Sequence, residues 1–340
     1  MRIVLHMDKL KNIPQIILML VLVWLGYVFL RWGLIDAVWQ GPSERCVSGH
    51  GACWFFVIHH FKLFMLGQYP SAASWRIGVI VLILAIHLTL LLFKQFHHKQ
   101  WVYVSLYVFF PVISWVLLKG GFGMLIEVPT HVWGGFLLNV FVGVFVILFA
   151  IPLGTLLALA RQAQSILIQT IATCLIETIR GVPMVTLLFL ALVVLPYCLP
   201  PNTSVDKLIR IVLIMVLFAG SYFAEVIRGG LLAIPNGQYE ASKSVGLTRW
   251  QTYQYIILPQ AFTHAFPSIM NIVIAMVKAS TLLSIVGIMD VLAMMNTAIM
   301  NAEWSPYYIE GYFFVAMLFW FSCYALSRFS VWYEHQQRLQ

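Results

Sequence analysis

The residues of this chain with chemistry to do are the charged side chains lodged in long apolar stretches: Glu177 with Arg180, Glu225 with Arg228, Lys278, and Asp290. An ionised group at the centre of a bilayer costs about 3 kcal/mol even on lenient insertion scales, so each needs a partner or water. Glu177/Arg180 and Glu225/Arg228 share i,i+3 spacing, which puts each pair on one helix face. Glycine follows both, in Arg180-Gly-Val-Pro183 and Arg228-Gly-Gly230. Two roles stay open. Each pair could neutralise itself near headgroup depth, where desolvation is mild, and brace the neighbouring loop. Some of these charges could instead line a path for a polar solute. Lys278 has no acidic residue within a turn, and Ser280 and Thr281 stand beside it. A cation there either attracts a substrate carboxylate or pairs with an acidic group on another helix or another chain. Asp290 reads as a helix-end residue.

Other chemistries lack their residues. No H-E-x-x-H, paired intramembrane Asp or convergent Ser–His set supports a membrane-embedded enzyme. G-x-x-x-x-G-K-[S/T] is absent, so the chain does not hydrolyse ATP by itself. Cys174, Cys198 and Cys323 lie in or beside apolar runs and read as small fillers. Cys46 and Cys53 share one loop, where an oxidising compartment would permit a disulfide. No cysteine spacing fits zinc, and no metal is expected. His59-His60 and His97-His98 are adjacent and diverge on a helix, so they read as solvated loop histidines. Asn202-Thr-Ser has the form of a glycosylation sequon.

These residues sit in a membrane protein. Of 340 residues, 61% are hydrophobic and 9% charged, against roughly 25% charged in soluble domains. The fold class is all-α integral membrane, with about eight spans near 13–31, 75–93, 101–118, 134–160, 172–198, 208–231, 265–292 and 308–329. The first run follows Arg2, Lys9 and Lys11 but lacks a small-residue cleavage site, so it reads as a retained anchor. The net charge of +8 is spread thinly along loops, which argues against nucleic acid and for topology. With the N-terminus inside, eleven Lys and Arg fall on the cytoplasmic side and seven outside, a modest positive-inside bias. Both termini are then cytoplasmic. Residues 1–130 form a three-span region with a periplasmic loop at 32–74, whose Trp54–Leu66 segment reads as interfacial. Residues 131–332 hold five spans, and 333–340 form a cytoplasmic tail. Ala275/Ala279 and Ser280/Ser284 give small-x-x-x-small ridges for close helix packing. Met294, Met295 and Met300 with Trp304 follow the seventh span, as packing or as a contact for a docked protein.

One stretch between the spans, 237–261, is polar and patterned. Tyr239–Val245 suits a short helix, and Gly246 suits the left-handed residue after its end. Thr248 with Gln251 has capping-box spacing, so a second helix should start near Arg249. Pro259 should stop it.

Glu240-Ala241-Ser242, Gly246, Ile256 and Leu258-Pro259 stand at the spacing of the cytoplasmic coupling loop of ABC importer permeases, and the stretch resembles that loop. Ser242 replaces the usual second Ala. Glu177-Thr-Ile-Arg-Gly-Val-Pro183, Ala224-Glu-Val-Ile-Arg-Gly-Gly230 and Lys278-Ala-Ser-Thr-Leu282 after Asn271 look like signatures of the polar amino-acid subfamily. Ala52-Cys-Trp54 and Gln68-Tyr-Pro70 are similar to the M-type permease of general L-amino-acid importers. The resemblance implies a five-helix type I core at 131–332 and a separate ATPase dimer carrying ATP and Mg. It also implies a second, Q-type permease and a periplasmic amino-acid-binding protein, in a bacterial inner membrane. No cofactor would bind this chain. Glu240, Ala241, Ser242, Gly246, Leu258 and Pro259 would couple to the ATPase, and Asn271, Lys278, Ser280 and Thr281 would line the substrate path. An importer of another small polar substrate (an opine or short peptide) is the alternative, and an ion-coupled secondary transporter a more distant one.

Overall fold

The computed structural model describes residues 13–40, 46, 51–92, 98–123, 125–198, 200, 203 and 205–338. Arg2, Lys9, Lys11, Arg45, Lys94, His97, Asn202 and Ser204 lie outside the described residues, so the sequon and part of the charge count do too.

Among the described residues the chain is helical, with isolated bridges in place of strands. Seven continuous helices among the described residues are long and apolar enough to cross a bilayer. They are α1 (Pro14–Ile35), α2 (Ser71–Leu92), α3 (Lys99–Lys119), α4 (Gly135–Ala160), α7 (Lys207–Leu232), α9 (Arg249–Leu283) and α11 (Ser305–Gln336). The pair α5 (Ile166–Gly181) and α6 (Met184–Cys198), bent by 104°, brings the number to eight when counted as one broken span. The shorter α8 (Asn236–Ser244) and α10 (Val291–Ile299) flank α9. The expected count of about eight spans holds.

Two expected spans are redrawn. The 172–198 run is broken because Pro183 lacks an N–H and drives Val182 out of helix, to φ −104° and ψ 134°. Hydropathy is blind to such a break. The 265–292 run begins earlier and ends sooner, passing through a 3-10 turn at Ser280–Leu283. At 35 residues, α9 is about 52 Å long, well over the ~30 Å hydrocarbon thickness. One end must therefore project from the membrane.

Two compact units form, one of residues up to Lys62 with Met295–Ala316, the other of Leu63–Met294 with the remainder. In the first, Cys46 and Cys53 are disulfide-bonded with Cα atoms 5.5 Å apart. The Cys53 N–H donates to the buried Glu310 carboxylate at 2.9 Å. Trp54 donates from its indole to the Gly33 carbonyl at 2.7 Å, and its ring lies against Trp32, Trp39 and Phe313. The Trp54–Leu66 segment is two short helices, Trp54–His59 and Phe61–Leu66. Its histidines are not simply solvated. His59 stacks on Trp304 at 5.4 Å, and burial pushes the His60 imidazole below its ordinary value. Met295 is buried while Met300 is exposed.

The second unit is built around α7, which packs along α4 and against α9 and α5. Its apolar face buries Ile211, Met215, Phe223 and Ile227. Of the two glycines after Arg228, only the second is sterically required. A Cβ on Gly230 would stand 2.4 Å from the Ala261 carbonyl oxygen of α9, whereas Gly229 faces open space.

Candidate functional site

The polar stretch folds into two helices closed by local hydrogen bonds. After α8, Gly246 takes φ +79°. Its N–H donates to Lys243 O at 3.0 Å, and Leu247 N–H donates to Ser242 O at 3.1 Å. This is the Schellman arrangement, which satisfies the last carbonyls of a helix. Thr248 then caps α9: its Oγ1 accepts from Gln251 N–H, and Gln251 Oε1 accepts from Thr248 N–H at 2.9 Å. A third tie fixes the angle between the helices. Thr252 Oγ1 donates to Ser242 Oγ at 3.1 Å, and both residues are buried.

The ties decide which residues face out. Glu240 and Ala241 are exposed, and so are Val245, Trp250 and Tyr255. Ser242, grouped with Glu240 and Ala241 from its position in the motif, points inward and holds the turn. Leu258 is half-buried against the bundle core, and Pro259 is exposed. Pro259 does not stop the helix. A wider π turn at Tyr253–Ile257 absorbs the proline, and the Gln260 side chain donates to the Ile256 carbonyl at 2.9 Å.

Behind this joint lies an ion cluster that differs from the expected pairs. Glu225 and Arg228 do pair within α7. Glu177 and Arg180 do not pair with each other. Arg161, at the end of α4, donates from Nη2 to Glu177 at 2.9 Å and from Nη1 to Glu225 at 2.8 Å. Arg180 approaches Glu225 at 3.7 Å and lies over the Tyr222 ring, 5.4 Å from its centroid. Spacing of i,i+3 permits an in-helix pair, but a guanidinium on a neighbouring helix reaches both carboxylates at once. One arginine thus joins α4, α5 and α7. Sequence reasoning placed Arg161 only in the topology count. Its signal was a cation directly after the apolar Gly135–Ala160 run.

The proposed path residues separate. Asn271 and Lys278 lie with His264, Ser268 and Ala275 on one exposed stripe of α9, spaced by threes and fours. Ser280 is fully buried and accepts from Asn139 Nδ2 at 3.0 Å, so it does not belong to that stripe. Thr281 donates back to the Lys278 carbonyl at 2.8 Å. Asn139 also donates to Asp290 at 3.2 Å and accepts from Val291 N–H at 3.1 Å. Asp290 accepts from Ala293 N–H at 2.9 Å and so caps α10, its expected helix-end role. Asn139 was missed because it is uncharged; a lone amide inside an apolar run was the available signal. Among the described residues, no group of three His, Cys, Asp or Glu could hold a metal.

The rest of the architecture has known counterparts. Residues 150–338 match the model of the binding-protein-dependent transport system inner membrane component. The inner membrane amino-acid ABC transporter permease protein YhdY of Escherichia coli is 37% identical, over 90% of this chain and 83% of its own length. The glutamate/glutamine/aspartate/asparagine transport system permease protein BztC of Rhodobacter capsulatus is 32% identical, over 94% of this chain and 88% of its own. A solved amino acid ABC transporter with histidines superposes with a TM-score of 0.53 at 25% identity, covering 59% of this chain and 92% of that one. The helical bundle and these likenesses agree: the chain is a multi-pass membrane permease belonging to the family of binding-protein-dependent transport system inner membrane components.

Proposed function

We propose that this chain is the permease subunit of an ATP-driven importer of polar L-amino acids, working by alternating access in a bacterial inner membrane. The observation that carries the reading is the closed α8–α9 joint, whose outward side offers Glu240, Ala241, Val245 and Trp250 to another protein. Exposed apolar groups rimmed by polar ones mark such contacts. The partner is an ATPase dimer, which binds ATP and Mg. Its closure would push on α8, and the long α9 would carry the movement into the bundle as a lever.

The stripe on α9 supports the transport side. Asn271 and Lys278 in lipid would be costly, so they face water or another protein chain. A second, Q-type permease packed on this face would enclose a path between the two chains, with Lys278 drawing the substrate carboxylate. A periplasmic amino-acid-binding protein delivers the substrate. Both termini are cytoplasmic in this reading, on the same side as α8. The relatives above are named for amino acids, which favours that substrate class over opines or peptides.

The test is uptake of labelled amino acids into vesicles holding the assembled importer. Vanadate-sensitive uptake is expected. Gly246→Val, which forces a β-branched residue into φ +79°, should abolish uptake while the protein still inserts. An undiminished rate in that variant sinks the lever.

A further inference from the structure

We propose that a cleft at the foot of the bundle, between the α4–α5 connection, the end of α7 and the coupling helix α8, binds a phosphate-bearing anion. The cleft measures about 480 Å³ and is lined by Arg161, Gln162, Gln169, Arg228, Asn236 and Tyr239, with Leu232 among its apolar residues. Its polar lining consists of guanidinium, amide and phenol groups, without a carboxylate. The neighbouring ion cluster sets three arginines against two glutamates, Glu177 and Glu225, so one positive charge is left over. Arg161 and Arg228, the two arginines that reach the cleft, are 21% and 31% exposed. A planar guanidinium fork matches the oxygens of a phosphate, and the amides can complete its coordination.

Location narrows the source to two. The cleft lies at the ends of the spans Gly135–Ala160 and Lys207–Leu232, which is headgroup depth. Leu232 is 65% exposed beside the arginines and would suit the first methylenes of a lipid. Basic pockets between helices at this depth bind anionic headgroups. A free phosphate offers the same chemistry without the tail. In either case the anion would touch Asn236 and Tyr239 of α8 together with Arg161 of α4, pinning the joint to the bundle. Binding itself does not depend on the transport reading; only its effect on coupling does.

The test uses the full chain in phosphatidylcholine nanodiscs. Phosphatidylglycerol is titrated in and the retained lipid counted by native mass spectrometry, with and without inorganic phosphate. Gln162 makes no ion pair, so Gln162→Glu and Gln162→Lys change the charge of the cleft and leave the cluster intact. One added charge should weaken or strengthen retention about fivefold, in opposite directions for the two variants. Retention that responds this way and resists inorganic phosphate assigns the site to a lipid. Retention that inorganic phosphate displaces assigns it to a free anion as well, and both results support the proposal. Equal retention in wild type, Gln162→Glu and Gln162→Lys, with all three folded by thermal melting, overturns it. Should the Gln162 variants not fold, Gln169→Glu and Gln169→Lys on the exposed side of α5 carry the same test.

Discussion

Replacing Arg161 by Gln should loosen the bundle more than replacing Arg180, the other arginine that meets Glu225 from a neighbouring helix. Its two bonds differ in worth. A hydrogen bond to a charged group contributes about 1.5–3 kcal/mol when shielded. The contact to Glu225 joins side chains 21% and 27% exposed at 2.8 Å, so the low end, about 1.5 kcal/mol, is appropriate. The contact to Glu177 is 2.9 Å long, but that carboxylate is 54% exposed, and solvent screening cuts it to about 0.5 kcal/mol. Arg161→Gln should therefore cost about 2 kcal/mol. Arg180 stands 3.7 Å from Glu225, beyond hydrogen-bond range, and lies over the Tyr222 ring, so Arg180→Gln should cost about 1 kcal/mol. SDS-titration unfolding with double-mutant cycles can separate these terms. Arg161→Gln with Glu225→Gln should couple by about 1.5 kcal/mol, and Arg180→Gln with Glu177→Gln by about zero. A Glu177–Arg180 coupling as large as the Arg161–Glu225 coupling would refute the cross-helix arrangement.

Two further outcomes follow from close contacts. Gly230→Ala should destabilise the α7–α9 crossing by about 1–3 kcal/mol, since its Cβ would meet the Ala261 carbonyl; Gly229→Ala should be neutral, both read from the same unfolding assay. Asn139→Leu would leave Asp290 and Ser280 buried without their shared partner, at about 2 kcal/mol, and amide exchange should rise in α10, whose first N–H groups that cluster holds.

Legibility followed the range of the interactions. The turn at 245–248 could be read because its determinants are local: a glycine at the helix end and Thr248 with Gln251 three residues on. The ion cluster could not, because i,i+3 spacing shows who is able to pair but not whether a closer cation arrives from another helix. Arg161 comes from 16 residues before Glu177 and 64 before Glu225, a proximity only the packed bundle creates. Pro183 did carry the signal for the broken span, yet hydropathy outweighed it. Pro259 carried the same signal and misled, because a wider π turn at Tyr253–Ile257 carries the helix past it. Motif position groups Ser242 with the ATPase-coupling residues and Ser280 with the substrate path, but both side chains are buried.

The most direct test of the coupling joint is site-directed cross-linking in the assembled importer, otherwise depleted of reactive cysteines. Single cysteines are placed at Ala241, Val245 and Trp250, which face out, and at Ser242, which is buried. Cross-links to the ATPase are expected from the three exposed positions, altered in yield by ATP with vanadate, and none from Ser242. Active uptake with no ATPase cross-link at Ala241, Val245 or Trp250 would contradict it.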